Sequence, residues 1–238
     1  MAAVAERLAA VRERIARAAA AAGRDPAEIR LIGASKLQPT EAIRAAYAAG
    51  LRDFGENYVQ ELERKAAELA NLPDLRLHLI GHLQRNKARH VVRHASVIQS
   101  VDSVRLAEEL GRRATEVVID EARRFAAGER RLVVFVEVNV GGEAEKQGCA
   151  PEALGAVLDA VEAQPSLALR GLMTLPPHTE DPAGARPFFD QLVALRDRHG
   201  GPSRLPELSM GMTHDLEPAI AAGATVVRVG TAIFGQRA

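Results

Sequence analysis

Aromatic side chains and cysteine are scarce in this chain: Phe, Trp and Tyr make up 3% of its 238 residues, tryptophan is absent, and Cys149 is the single cysteine. One thiol can form no internal disulfide, so the fold must be held by packing, and a reducing compartment is permitted. Lying two residues before Pro151, Cys149 reads as incidental rather than reactive. Excess charge is lacking too, with 31 basic residues against 31 acidic ones. That removes the global pull by which nucleic acid or an anionic membrane would hold the protein. No apolar run reaches the ~18 residues of a membrane span. The seven histidines show neither HxH nor HExxH spacing, which argues against a metal site.

What the chain does have is aliphatic residues. With 47% hydrophobic content and few aromatics, its core must be Ala, Val, Leu and Ile, the branched filling that a parallel sheet prefers. The alanine- and arginine-rich start (residues 1–23) superficially resembles a targeting segment. Glu6, Arg7, Arg12, Glu13, Arg14 and Arg17 interrupt it, however, while Val4, Leu8, Val11 and Ile15 recur on one helical face. It reads as an amphipathic helix packed on the following domain and stopped by Gly23 and Asp25-Pro26. The expected location is the cytoplasm.

From residue 30 the pattern alternates. Strands are expected near Arg30–Ser35, Leu51–Gly55, Arg76–Gly81, Val97–Val101, Leu132–Val140, Ala168–Met173, Leu205–Met210 and Val226–Gly230. Helices are expected over Thr40–Ala49, Asn57–Ala70, Gln84–Arg93, Ser103–Ala127, Pro151–Ala163, Ala183–His199 and Asp215–Ala222, with Thr40, Asp102-Ser103 and Asp215 near their starts. Eight such units in a chain of this length match a single-domain (β/α)8 barrel, typically about 250 residues. The open doubly wound alternative lacks its Gly-x-Gly-x-x-Gly fingerprint after the first strand.

In such barrels chemistry gathers at the C-terminal strand ends, with phosphate on the loops after strands seven and eight. There this chain places Ser35-Lys36, Glu56-Asn57, His82, Asn139, Met173-Thr174, Ser209-Met210-Gly211-Met212-Thr213 and Gly230-Thr231. In a closed barrel the first and last strands are neighbours, so Lys36 would lie beside a Gly/Thr anion pocket. A strand-end lysine alone is more often a surface residue, and Arg228 alone an ordinary ion-pair partner. Together, a Schiff-base lysine beside a phosphate site is what pyridoxal 5′-phosphate (PLP) requires.

Six segments, in order, carry a family likeness: Gly33-Ala34-Ser35-Lys36, Phe54 to Glu61, His78 to Lys87, Gly171-Leu172-Met173, Leu208 to Met212, and Val227 to Gly235. The chain resembles, over about residues 30 to 236, the PLP homeostasis protein family, also called the proline synthetase co-transcribed or YggS-like family, whose barrel is similar to the N-terminal domain of alanine racemase. The resemblance implies a fold-type III PLP barrel, an involvement in vitamin B6 homeostasis and no robust catalysis. Carried over by position, Lys36 would bind PLP covalently, Ser209, Gly230 and Thr231 would hold the phosphate, Arg228 would face the pyridine nitrogen, and Met210 would belong to the same cofactor-binding set. Asn57 and His82 would flank the ring or its 3-hydroxyl. Thr213-His214-Asp215 stands where the family often has Ser-x-Asp, which keeps a hydroxyl at 213 and leaves His214 without a role.

Three functions follow. The favoured one is a PLP carrier or regulator, expected to be a monomer. An amino-acid racemase is the enzymatic rival. It needs an acid/base on each face of the cofactor, and in alanine racemase the second is a tyrosine from a further C-terminal domain of the partner subunit. This chain stops at Ala238, just after the eighth strand, and has only Tyr47 and Tyr58. The third is a protein that hands PLP to apo PLP-enzymes, docking through the basic strip Arg85, Lys87, Arg89, His90, Arg93 and His94, a pattern that is ordinarily a solvated helix face.

Overall fold

The computed structural model describes residues 2–115, 125, 129–143 and 145–236. Eight parallel strands close into a barrel in chain order: β1 (Arg30–Ala34), β2 (Asp53–Glu56), β3 (Arg76–Leu79), β4 (Val97–Val101), β5 (Leu132–Glu137), β6 (Leu167–Met173), β7 (Glu207–Ser209) and β8 (Val226–Val229). The expected (β/α)8 architecture is therefore what forms. Closure pairs β1 with β8, Ile32 lying opposite Arg228 and Gly33 opposite Val229. Residues nearly two hundred positions apart thus share one end of the barrel.

Helices α2 (Thr40–Ala48), α3 (Val59–Glu68), α4 (Ala88–Val91), α5 (Val104–Ala114), α6 (Leu154–Glu162), α7 (Arg186–Arg198), α8 (Gly201–Arg204), α9 (Leu216–Ala222) and α10 (Thr231–Phe234) follow α1 (Ala2–Ala21). The helix expected to run to Ala127 is seen as far as Ala114; positions 116–124 and 126–127 of that expectation lie outside the described residues. Strand β5 stops at Glu137 rather than Val140, because Val138 turns away to bridge Cys149. Strand β7 starts at Glu207 rather than Leu205, whose N–H instead donates to Gly201 and closes α8. Ser103 and Asp215 stand at the N-caps of α5 and α9 as expected, where their carbonyls accept helical N–H groups but their side chains make no cap bond, whereas Pro39 rather than Thr40 is the cap of α2. Asp215 Oδ1 instead accepts from the Met212 N–H at 2.6 Å and shapes the loop after β7.

The main core lies between sheet and helices. Leu8, Val11, Ile15 and Ala19 of α1 belong to it, and Arg7, Arg14 and Arg24 donate to Ile233, Thr213 and Ile220 carbonyls. Helix α1 and the turn after it thereby brace the segments that follow β7 and β8. A second apolar cluster fills the barrel itself, built from Ile32, Val97, Val133, Phe135, Ala168, Met173 and Val226, with Phe125 beside it. The rest of the barrel interior is polar, which departs from the layers of branched residues usual in such barrels.

Candidate functional site

At the C-terminal mouth a cleft of about 320 Å³ is lined by Lys36, Asn57, Ile80, Leu175, Met212, Thr213, Arg228, Gly230 and Thr231, among others. Closure of the barrel produces this gathering. Gly230 follows β8 beside β1, where a Cβ would sit 3.1 Å from the Ala34 carbonyl oxygen, so the absent side chain lets the end of the last strand lie close beside the lysine-bearing turn.

That turn is held from below. Ser35 N–H donates to Gly55 (2.9 Å) and Gln38 N–H to Ser35 (3.0 Å). The fully buried ammonium of Lys65 on α3 donates to the Ser35 carbonyl (2.6 Å) and to Glu56 (2.8 Å) and forms an ion pair with Glu61 (2.9 Å). Glu61 Oε1 also accepts the Leu37 N–H at 2.7 Å, and the Ser35 hydroxyl donates to Glu56 at 2.5 Å. Leu37 has φ of 60°, a left-handed conformation costing a branched side chain on the order of 1–3 kcal/mol. Lys36 therefore sits between two backbone positions fixed by charged side chains, the buried Lys65 and the half-buried Glu61. Burial pushes the Glu56 carboxyl up, against the pull of Lys65 and Ser35, and Glu56 Oε2 meets no donor among the described residues.

Arg228 is 3% exposed and points across the interior. It donates to the Ser209 hydroxyl at 2.5 Å and to the Thr174 carbonyl at 2.8 Å. Burial pulls its pKa down to about 10, with Glu137 and Asp215 opposing, so it remains cationic at neutral pH. Glu137, at the end of β5, is raised to about 7 by burial, with Arg228 pulling it down and Asp102 pushing it up.

The expected site residues divide in two. Lys36, Asn57, Arg228, Gly230 and Thr231 share the cleft, together with Thr213. Ser209 and Met210 are fully buried and do not line it. Ser209 donates to Gln99 Oε1 at 2.6 Å while accepting from Arg228, which commits its hydroxyl beneath the cleft, and Met210 packs in the core. His82 stands in an adjoining groove with Asn57, Tyr58 and Lys87, its Nδ1 3.6 Å from Asp102; it does not reach the cleft because the chain after β3 turns outward at Gly81, packed against the Asn57 backbone. Asn139 holds its own loop by donating to the Glu143 carbonyl at 2.8 Å. His214 packs against His178 (5.5 Å between ring centroids) and bonds the Thr179 carbonyl. Cys149 is buried, and its thiol is pushed up to about 12, chiefly by burial, so little nucleophilic thiolate exists at neutral pH. Sequence reasoning missed Glu137, Gln99 and Lys65, each of which lies in a strand or helix pattern with no local signal of its partners.

No helix among the described residues is long and apolar enough to cross a membrane. Among them, too, no group of three His, Cys, Asp or Glu side chains is placed to hold a metal.

The family of the alanine racemase N-terminal domain matches residues 7–238. A pyridoxal phosphate homeostasis protein of Pseudomonas aeruginosa is 48% identical over 238 residues, covering 100% of this chain and 97% of that protein. The human protein of the same name is 36% identical, across 97% of this chain and 85% of its own. Among solved structures, PipY of Synechococcus elongatus with PLP bound superposes with a TM-score of 0.78 at 40% identity, covering 98% of this chain and 100% of that one. Alanine racemase of Corynebacterium glutamicum, at 14% identity and a TM-score of 0.66 over 100% of this chain and 62% of its own, shares the fold.

Proposed function

The chain belongs to the pyridoxal phosphate homeostasis protein family, and we propose on that premise that it binds PLP in the mouth cleft and acts as a carrier or regulator of the cofactor rather than as a robust catalyst. One observation carries the reading: Lys36, Arg228, Gly230, Thr231 and Thr213 line the same cleft. The donor set fits the group, since PLP presents an aldehyde, a ring nitrogen and a phosphate dianion, and the cleft offers an amine, a guanidinium and two hydroxyls beside a glycine.

PLP supplies an aldehyde that captures amines and a ring that withdraws electrons. Lys36 is the amine we assign to covalent attachment, positioned by the turn that Lys65 and Glu61 fix. The Thr213 and Thr231 hydroxyls donate to the phosphate, and Gly230 lets backbone approach it. Arg228, always a donor and never an acceptor, holds the ring nitrogen in its unprotonated form, which weakens the ring as an electron sink. Delivery to apo PLP-enzymes belongs to this proposal. Arg85, Arg89 and Arg93 of the basic strip are exposed, while His90 is engaged with Glu63 at 3.0 Å and Arg89 at 2.9 Å.

The test is to load the protein with PLP, reduce with borohydride and map the pyridoxyl adduct by mass spectrometry. The adduct is expected on the Lys36 peptide and absent from Lys36→Ala. An adduct confined to another lysine, or none after loading, overturns the assignment.

A further inference from the structure

A single chain of buried polar side chains runs through the barrel from its base to the mouth. Arg76 grips Asp53 with two bonds of 2.7 Å, and Arg30 approaches the same carboxylate at 3.4 Å. His78 Nε2 lies 2.9 Å from Asp53 Oδ1, Gln99 Nε2 lies 3.1 Å from His78 Nδ1, Ser209 Oγ lies 2.6 Å from Gln99 Oε1, and Arg228 lies 2.5 Å from Ser209. His78, Gln99 and Ser209 are fully buried, so none can trade these partners for water.

The two ends fix the direction of every bond. Arg228 can only donate. Asp53 can only accept, because hydrogen bonds from Arg76 and His78 overcome its burial and hold its carboxyl far below the usual range. His78 must therefore carry its proton on Nε2. A second proton on Nδ1 would make a buried imidazolium, which burial disfavours. Nδ1 is thus an acceptor, Gln99 must turn its NH2 toward it, and its carbonyl is left to take the Ser209 proton. Only then does Ser209 offer a lone pair to Arg228. A flipped Gln99 would strand the Ser209 hydrogen and demand the doubly protonated ring.

We propose that Gln99, backed by His78 and Asp53, is a positioning residue that sets the orientation of Arg228 beneath the cofactor cleft. It acts through Ser209 and touches no ligand itself. The inference rests on the reading that PLP occupies the mouth, and its test has one arm that needs no PLP.

In the apo-protein, 15N NMR at neutral pH should show His78 as the Nε2–H tautomer and slowly exchanging Arg228 Nη protons. The near-isosteric Gln99→Met should keep the fold by thermal melt and lose the slow Arg228 signals. An Nδ1–H ring, or unchanged Arg228 exchange in the variant, overturns the proposal even if PLP never binds. In the PLP-loaded protein, Gln99→Met should weaken PLP by roughly five- to tenfold, the loss of about one neutral hydrogen bond. It should also shift the absorbance of the bound cofactor while leaving the Lys36 adduct in place. In a Ser209→Ala background the same substitution should cost less than about twofold, because the linkage it acts through is gone. Additive effects in that cycle would refute action through Ser209. Should Gln99→Met fail to fold, Gln99→Leu takes its place in both arms.

Discussion

Replacing Glu137 by Gln should remove a pH dependence from the stability of the apo-protein, with a size set by burial. Glu137 is 3% exposed, and its pKa rises to about 7, burial being the largest cause. An unfolded Glu titrates near about 4.3. The fold therefore prefers the protonated carboxyl. Its contribution is complete below about pH 4, falls as pH rises through about 7, and is flat above that. At about 1.4 kcal/mol per pKa unit, the wild type should lose about 2–3 kcal/mol relative to Glu137→Gln between pH 5 and pH 8. Glu56, raised in the same direction, is common to both proteins and cancels in the difference. Urea unfolding at pH 5, 6, 7 and 8, with and without the substitution, measures it. Curves that stay parallel within about 0.5 kcal/mol, the ordinary scatter of surface substitutions, would mean that Glu137 is hydrated and the burial argument fails.

Thr213→Ala combined with Thr231→Ala should weaken PLP far more than pyridoxal, since each charge-assisted bond to a phosphate is worth roughly 1.5–3 kcal/mol; equal losses in fluorescence titrations of the two ligands would place the phosphate elsewhere. Lys65→Met should destabilise the protein by about 3–5 kcal/mol, because two carboxylates would remain buried without their cation. An unchanged urea midpoint would show that water reaches Glu56 and Glu61.

All eight strands were legible from alternation of apolar runs with helical patterns, because a parallel barrel buries both faces of each strand and leaves continuous apolar runs such as Val133 to Val136. The lysine, arginine and glycine of the cleft were legible because barrel chemistry is confined to strand ends. What escaped was set by tertiary contact. Leu51 was expected to open β2, yet its N–H closes α2 on Ala46, and Leu51 looks the same in sequence in either role. Ser209 was expected at the phosphate and His82 at the ring, from positions that are right to within a residue or two of the mouth. A strand end specifies which end of the barrel a side chain occupies, and only its neighbours decide whether it faces ligand, core or an adjoining groove. Gln99 and Ser209, 110 positions apart, have no local pattern to announce their bond.

The two tyrosines bear on the racemase alternative. Tyr47 lies at the opposite end of the barrel, its hydroxyl bonded to Asp74 and its ring under the Arg52 guanidinium at 4.0 Å. Tyr58 is 56% exposed in the groove beside His82 and does not line the cleft. Neither stands across the cleft from Lys36 as a second proton carrier. Two groups of the proposed PLP site are firmly held: a lysine-bearing turn pinned by Lys65 and Glu61, and a guanidinium pinned by a one-way chain of hydrogen bonds. Both have their partners before any ligand arrives, so the ordering cost of binding falls largely on folding rather than on capture. A site organised in this way gains affinity for the cofactor, which suits the proposed role of holding PLP.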